Sequence, residues 1–263
     1  MVAKAEKKEG LIETVKTIVW ALVIAGVFRT LFFQPFWIPS GSMKDTLLIG
    51  DFLFVNKMAY GYSQYSCPFS MCTFIDGRWF GGEPERGDVI VFRHPVNGTD
   101  FIKRLIAVPG DTVQMRDGRL YLNGEPVPTE EVEPFVEIKA PQGPQRLTPR
   151  CANEPVAPGG ECVKARFAER LPGEEEAHSI LDIGRTGTDD TPVFTVPEGE
   201  YFFMGDNRDN SRDSRVPRSI GGVGFVPYEN LIGRADRVVF SSAGAQMFYF
   251  WTWRLDRFFE EIV

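Results

Sequence analysis

FIKRLIAVPGDTVQMRDGRLYLN, Phe101–Asn123, reads as short strands joined by tight turns. FIKRLIAV (Phe101–Val108), TVQMR (Thr112–Arg116) and RLYLN (Arg119–Asn123) are rich in β-branched, aromatic and alternating residues. Pro109-Gly110-Asp111 marks the first turn and Asp117-Gly118 the second, a hairpin signal. The same texture extends outward in both directions: DFLFVNK (Asp51–Lys57), DVIVFRH (Asp88–His94), YFFMGD (Tyr201–Asp206) and ADRVVF (Ala235–Phe240). No long amphipathic helical pattern interrupts these runs, so the expected fold is mainly β, an antiparallel β-sheet domain with insertions. Gly 26, Pro 19 and Phe 22 fit many turns and strands better than a helical bundle. The insertions are expected at Tyr60–Arg86, rich in Gly, Ser, Pro and aromatics, and at Gly124–Pro197, rich in Pro, Glu and Gly.

A chain of 263 residues has room for one or two domains with a real core. Apolar residues at 43% and charged residues at 25% exclude a disordered chain. A net charge of −7, without a local basic stripe, argues against a nucleic-acid partner.

The N-terminus has a different character. Residues 1–16 are polar and carry Lys4, Lys7, Lys8 and Lys16; TIVWALVIAGVF (Thr17–Phe28) follows without a charge. With Arg29 snorkelling toward an interface, the run from Thr17 to Phe36 has the ~20 residues that a membrane span requires, and Pro35 would end the helix. A cleaved leader would show small residues after its apolar core, and Phe28-Arg29-Thr30-Leu31-Phe32 stands there instead. A buried core helix is the third reading, but this one is apolar on every face, which suits lipid. The expected organisation is a cytoplasmic tail (1–16), one N-terminal transmembrane helix (17–36), a β-rich domain (37–240) and an aromatic C-terminal segment (241–263). Lysines ahead of the span place the N-terminus in the cytoplasm and the remainder outside.

Four cysteines fall in two close pairs, Cys67 with Cys72 and Cys151 with Cys162. Two local disulfides in an oxidising compartment are favoured over free thiols. A four-cysteine zinc site is the alternative, but the spacing of Cys151 and Cys162 fits it poorly. At the C-terminus MFYFWTWRLDRFF (Met247–Phe259) gathers aromatics around Arg254, Asp256 and Arg257. It reads either as an element closing the core or as a segment in the membrane interface.

For chemistry, the two histidines are poor candidates: His94 ends a strand before Pro95, and His178 ends an acidic stretch within an insertion. Lys103 is better. Strand alternation sets it on one face with Phe101, Leu105 and Ala107, while Arg104 falls on the other. An ordinary lysine, pKa about 10.4, is only about 0.1% neutral near pH 7.4, and desolvation lowers that pKa. A buried lysine can therefore act as a general base, although a strand lysine snorkelling from an edge has the same pattern. Ser40-Gly41-Ser42 is a small-residue turn just beyond the anchor. GDNRDNSRDSR (Gly205–Arg215) sets a dense polar run directly after an apolar strand, costly unless its members bond one another.

Together these segments resemble the bacterial type I signal peptidases, or leader peptidases. The resemblance runs through most of the chain outside the insertions: the anchor, PSGSM (Pro39–Met43), GDVIVFRHP (Gly87–Pro95), FIKRLIAVPGD (Phe101–Asp111), and GDNRDNSRDSR followed by GFVP (Gly224–Pro227). It implies a membrane-anchored serine endopeptidase that removes signal peptides from exported preproteins after small-x-small motifs, on the outer side of the bacterial inner membrane. It makes Ser42 the nucleophile and Lys103 the general base. Ser40 and the Ser42 N–H would form the oxyanion hole, and Ser211 would orient the Lys103 amine. Gly205, Asp206, Arg208, Asp213 and Arg215 would be a supporting network, and Phe36, Ile38, Met43, Leu47, Phe101 and Ile102 would line shallow substrate pockets. Neither metal nor other cofactor is required.

Three features depart from the common family pattern. Lys44-Asp45 follows Met43 where apolar residues are usual, either a surface ion pair or a second lysine perturbing the site. The link from Arg215 to Gly224 is long, and there is one anchor instead of two. Competing readings are a specialised or self-cleaving relative, and a catalytically silent β module that binds exported chains.

Overall fold

A computed structural model describes residues 2–67, 72–143, 145–244 and 247–262. Helix α1 runs Val2–Leu31, and its Ile12–Leu31 portion is long and apolar enough to cross a membrane, with none of it covered by the rest of the chain. The helix ends at Leu31, earlier than the expected boundary at Phe36. Residues Phe33–Trp37 form strand β1 instead. Pro35 is tolerated there because β1 is an edge strand, where a missing N–H forfeits no ladder bond. The Tyr62 hydroxyl donates to the Leu31 carbonyl (2.6 Å) and the Lys57 N–H to the Phe32 carbonyl (3.0 Å), satisfying the helix end.

The strands then follow: β2 Asp51–Asn56, β3 Val89–Arg93, β4 Asp100–Ala107, β5 Thr112–Arg116, β6 Arg119–Leu122, β7 Glu125–Pro126, β8 Thr129–Ile138, β9 Glu161–Glu169, β10 His178–Asp182, β11 Phe194–Thr195, β12 Glu200–Met204, β13 Val226–Pro227 and β14 Leu231–Ser241. All pairings between them are antiparallel. The principal sheet has the order β1-β2-β14-β3-β4-β12-β13. Register shifts along β14, as at Ala235/Arg237, mark bulges that bend the sheet. A four-stranded sheet, β11-β5-β6-β7, contains the hairpin read from Asp117-Gly118. Both residues take positive φ there (47° and 76°), as a primed hairpin turn demands.

The second insertion holds a sheet of its own, β10-β9-β8, which its composition hid. TEEVEPFVEI alternates charged and apolar residues, but its Val132, Val136 and Ile138 remain solvent-exposed, so no buried apolar face announced the strand. In the first insertion, residues 68–71 lie outside the described residues. Its remainder is fastened by Arg78, whose guanidinium donates to the carbonyls of Tyr60, Gly61, Tyr228, Glu229 and Leu231. The cysteines form two local disulfides, Cys67–Cys72 and Cys151–Cys162.

One apolar cluster joins β1, β2, β14 and the loop after β1 through Ile38, Met43, Leu47, Leu53, Val55 and Val238. A second, around Phe92, Leu105 and Phe203, binds β3, β4 and β12. The C-terminal segment is neither regular helix nor strand but two short helical turns, Phe250–Thr252 and Leu255–Arg257. Arg254 and Arg257 reach inward to buried Asp51 (3.4 and 2.8 Å), while Phe248, Phe250, Trp251, Leu255 and Phe259 stay exposed.

Candidate active site

The loop between β1 and β2 carries Ser40-Gly41-Ser42, and its position is set from below and behind. Met43 and Leu47 are fully buried in the core, so the loop cannot lift without exposing both. From behind, Asn207 clamps the turn twice: its side-chain amide donates to the Gly41 carbonyl (2.8 Å) and its N–H to the Ser42 carbonyl (3.1 Å).

Lys103 arrives from β4, paired with Ile90 on one side, with its side chain 3% exposed. Its Nζ donates to Ser42 Oγ at 2.5 Å and to the Ile102 carbonyl at 2.8 Å, and lies 5.5 Å from the Phe101 ring centroid. Burial lowers the lysine pKa to about 8, against the opposing pull of Asp213 and Asp206. The snorkelling alternative does not hold, because this lysine is inside. An amine with a lowered pKa, hydrogen-bonded to a hydroxyl, can take that hydroxyl's proton when it is in its neutral form. Ser40 Oγ lies 3.4 Å from Ser42 Oγ.

Most of the polar run after β12 bonds to itself and to its neighbours, which offsets much of its cost. Asp206 receives Arg104 bidentately (2.9 and 2.8 Å) and the Thr46 hydroxyl (2.6 Å), so it ties β4 and the Ser42 loop together. Burial would raise this carboxyl, but Arg104 holds it below the usual carboxylate range. Asp213 likewise is kept low by Arg215, which grips it at 2.9 Å while donating to the Arg208 carbonyl at 2.6 Å. The Gly205 N–H donates to Asp213 (3.1 Å). A Cβ on Gly205 would collide with the Ser42 carbonyl and with Ser211, so only glycine fits. Arg208 pairs with buried Glu169, which Arg208 and His178 hold at about 2 against the upward push of burial.

Two expectations change. The Ser211 hydroxyl, expected on the Lys103 amine, makes no such bond; it lies beside Gly205 with Asp213 as its neighbour, and the Ile102 carbonyl accepts from the amine instead. Of the six pocket residues, Phe36, Phe101 and Ile102 line a cleft of about 500 Å³ beside Ser42 and Lys103, whereas Ile38, Met43 and Leu47 lie beneath in the core. Their apolar character serves packing, and the sequence could not separate the two uses.

Lys44 is not a surface residue. It is 3% exposed and donates to Glu137 (2.5 Å) and Gln142 (2.7 Å), both from the second insertion. Burial lowers its pKa, with Glu137 pulling the other way. Arg104, Thr46, Asn207, Glu137 and Glu169 were not anticipated as neighbours of the site. Asn207 sits in the polar run and Arg104 beside Lys103, so position was a signal for those two; the glutamates had none. Among the described residues no group of His, Cys, Asp or Glu is arranged to hold a metal ion.

A family profile described as signal peptidase, peptidase S26, matches residues 11–240. The chain belongs to the signal peptidase family. Its relatives include the signal peptidase I of Rickettsia typhi, 39% identical over 85% of this chain and 78% of that one. The signal peptidase I of Rickettsia akari is 40% identical over 85% of this chain and 77% of that one. A crystal structure of a signal peptidase I from Enterococcus faecalis covers 58% of this chain and 97% of its own, at 27% identity and a TM-score of 0.30. The peptidase is thus a hydrolase of peptide bonds from a family of serine proteases that remove signal peptides, and its apolar N-terminal helix fits a lipid bilayer.

Proposed function

We propose that this peptidase cleaves exported preproteins after small-x-small motifs, with Ser42 as nucleophile and Lys103 as general base. The observation that carries the reading is the 2.5 Å contact from the buried Lys103 Nζ to Ser42 Oγ. Neutral Lys103 takes the Ser42 proton as the oxygen attacks the scissile carbonyl. The lysine then passes that proton to the leaving amine, and water activated by the same lysine releases the product from the acyl-enzyme. Ser40 Oγ and the Ser42 N–H would stabilise the oxyanion, each on the order of 3 kcal/mol. The substrate would add as a strand beside the edge strand β1, its small side chains against Phe36, Phe101 and Ile102. Asp206, Arg208, Asp213, Arg215 and Gly205 hold the frame in which these groups meet.

The test is the detergent-solubilised peptidase mixed with a precursor bearing an Ala-x-Ala site, with mass analysis of the new N-terminus. Cleavage after the second Ala is the expected result; a folded enzyme that leaves several such precursors intact rules the reading out. Because the active form is the neutral amine, kcat/KM should rise with pH and level off through a pKa of about 8. A plateau already reached at pH 6 would exclude Lys103 as the base.

Anchoring in the inner membrane, N-terminus inside, is part of the same proposal. An aromatic strip supports it, running from the helix end across the sheet: Phe28 to Phe33 (6.1 Å between centroids), Phe33 to Phe54 (6.2 Å), Phe52 to Phe240 (6.4 Å), and Phe240 to Trp253 (5.2 Å). This strip leads to the exposed C-terminal aromatics, a surface suited to the headgroup zone. Alkaline carbonate should leave the protein in the membrane pellet, and protease added outside intact spheroplasts should degrade the β domain. Release by carbonate would remove the anchor from the proposal.

A further inference from the structure

The cleft beside Ser42 is chemically divided. Its apolar residues Phe36, Phe101 and Ile102 come from β1 and β4, whereas Arg150 comes from the second insertion and Arg212 from the run after β12. The two carboxylates of the lining are already engaged. Asp209 accepts from the Ile183 N–H (2.8 Å) and the Thr186 hydroxyl (3.1 Å), and Asp100 lies 3.2 Å from Arg93 Nε. Among the described residues, neither Arg150 nor Arg212 has a carboxylate partner. Arg150 is nonetheless held in place. Its Nη1 donates to the Asp209 carbonyl (2.7 Å), and its own carbonyl lies 3.5 Å from the sulfur of Cys162, which is bonded to the adjacent Cys151. That leaves most of a planar guanidinium, whose donor geometry matches a carboxylate, uncommitted at the cleft.

An extended substrate turns alternate side chains to opposite sides. With both small residues of the motif against the apolar lining, the middle residue x faces the other way. The first residue after the cut does so as well. We propose that Arg150 and Arg212 form a carboxylate-reading subsite, so that the peptidase favours precursors with Asp or Glu at x or directly after the cut. The inference rests on the proposed cut beside Ser42 and adds the charge preference of that site.

The test uses the full-length peptidase in detergent and matched Ala-x-Ala peptides carrying Asn, Asp or Lys at x, or at the residue after the cut. Comparing kcat/KM ratios within each protein cancels any general change in activity or folding. Wild type should favour Asp over Asn about fivefold at one of these positions at low salt, the size of an exposed charge pair, and about 0.5 M NaCl should erase most of the preference. Arg150→Gln with Arg212→Gln should bring the ratio to about one. Arg150→Glu with Arg212→Glu should invert it in favour of Lys. A wild-type ratio near one at both positions, with the Asn peptides cut well, overturns the subsite alone. An Asp preference surviving charge reversal overturns it too. Failure to cut any peptide overturns both the subsite and the cut beside Ser42.

Discussion

Ser42→Ala should lower kcat by about 10⁶-fold and Lys103→Ala by about 10⁴-fold or more, and the double variant should be no slower than the worse single one. In the proposed mechanism hydroxyl and amine act as one unit: without the base the hydroxyl is a poor nucleophile, and without the hydroxyl the amine has no proton to take. What survives in each variant is binding and oxyanion stabilisation. The stability change separates this loss from misfolding. The Lys103 pKa is lowered from 10.5 to about 8 in the folded protein, so the fold disfavours the ammonium. That cost is fully present below pH 8 and disappears as pH rises past 10.5, reaching up to about 3 kcal/mol. Lys103→Met should therefore be inactive yet melt at least as high as wild type at pH 7, as read by calorimetry. Thermal destabilisation of Lys103→Met at pH 7 would contradict the burial argument. Normal turnover by Lys103→Ala would make another group the base, and Lys44 would be the next to test.

Arg104→Met should destabilise the protein by about 3–5 kcal/mol, the cost of leaving one member of a buried ion pair alone. Arg104 and Asp206 have side chains 0% and 1% exposed, and the pair joins β4, which carries Lys103, to the loop that carries Ser42 through Thr46. Without the guanidinium, Asp206 keeps the Thr46 hydroxyl and loses its counter-charge. A fall in Tm of about 10 °C is expected for a chain of this size. Adding Asp206→Asn to Arg104→Met should recover part of the loss, because an amide can be buried without a counter-charge. A denaturant series on both single variants and the double closes the thermodynamic cycle. A single variant within 1 kcal/mol of wild type would show that the pair does not support the frame.

Alternation and turn residues carried much of the β architecture. FIKRLIAV, TVQMR and RLYLN lie within a residue or two of β4, β5 and β6, because period-two patterns and Asp117-Gly118 act through neighbours in the chain. The long apolar helix was legible in the same local way, by length and apolarity. Its end was not, since the choice between a longer helix and β1 depended on β2 being there to pair with Phe33–Trp37. The inserted sheet was hidden because Thr129–Ile138 and Glu161–Glu169 satisfy each other's backbones while leaving much of their surface polar.

At the site, the strand pattern marked Lys103 as an amine on an apolar face and Ser40-Gly41-Ser42 as a small-residue turn, but only the resemblance to signal peptidases joined the two into a candidate dyad. Which polar groups balance one another was decided only by the fold. Arg104 finds Asp206, Lys44 finds Glu137, Arg208 finds Glu169 and Asn207 finds the Gly41–Ser42 backbone, across 102, 93, 39 and 166 positions of sequence in turn. The sequence by itself determined the strands of the central segments and the helix apolar enough to cross a bilayer, because those properties depend on a residue and its near neighbours. Tertiary structure alone decided how dry the Lys103 amine is and which charges answer each other, because desolvation and Coulomb attraction depend on distance in space.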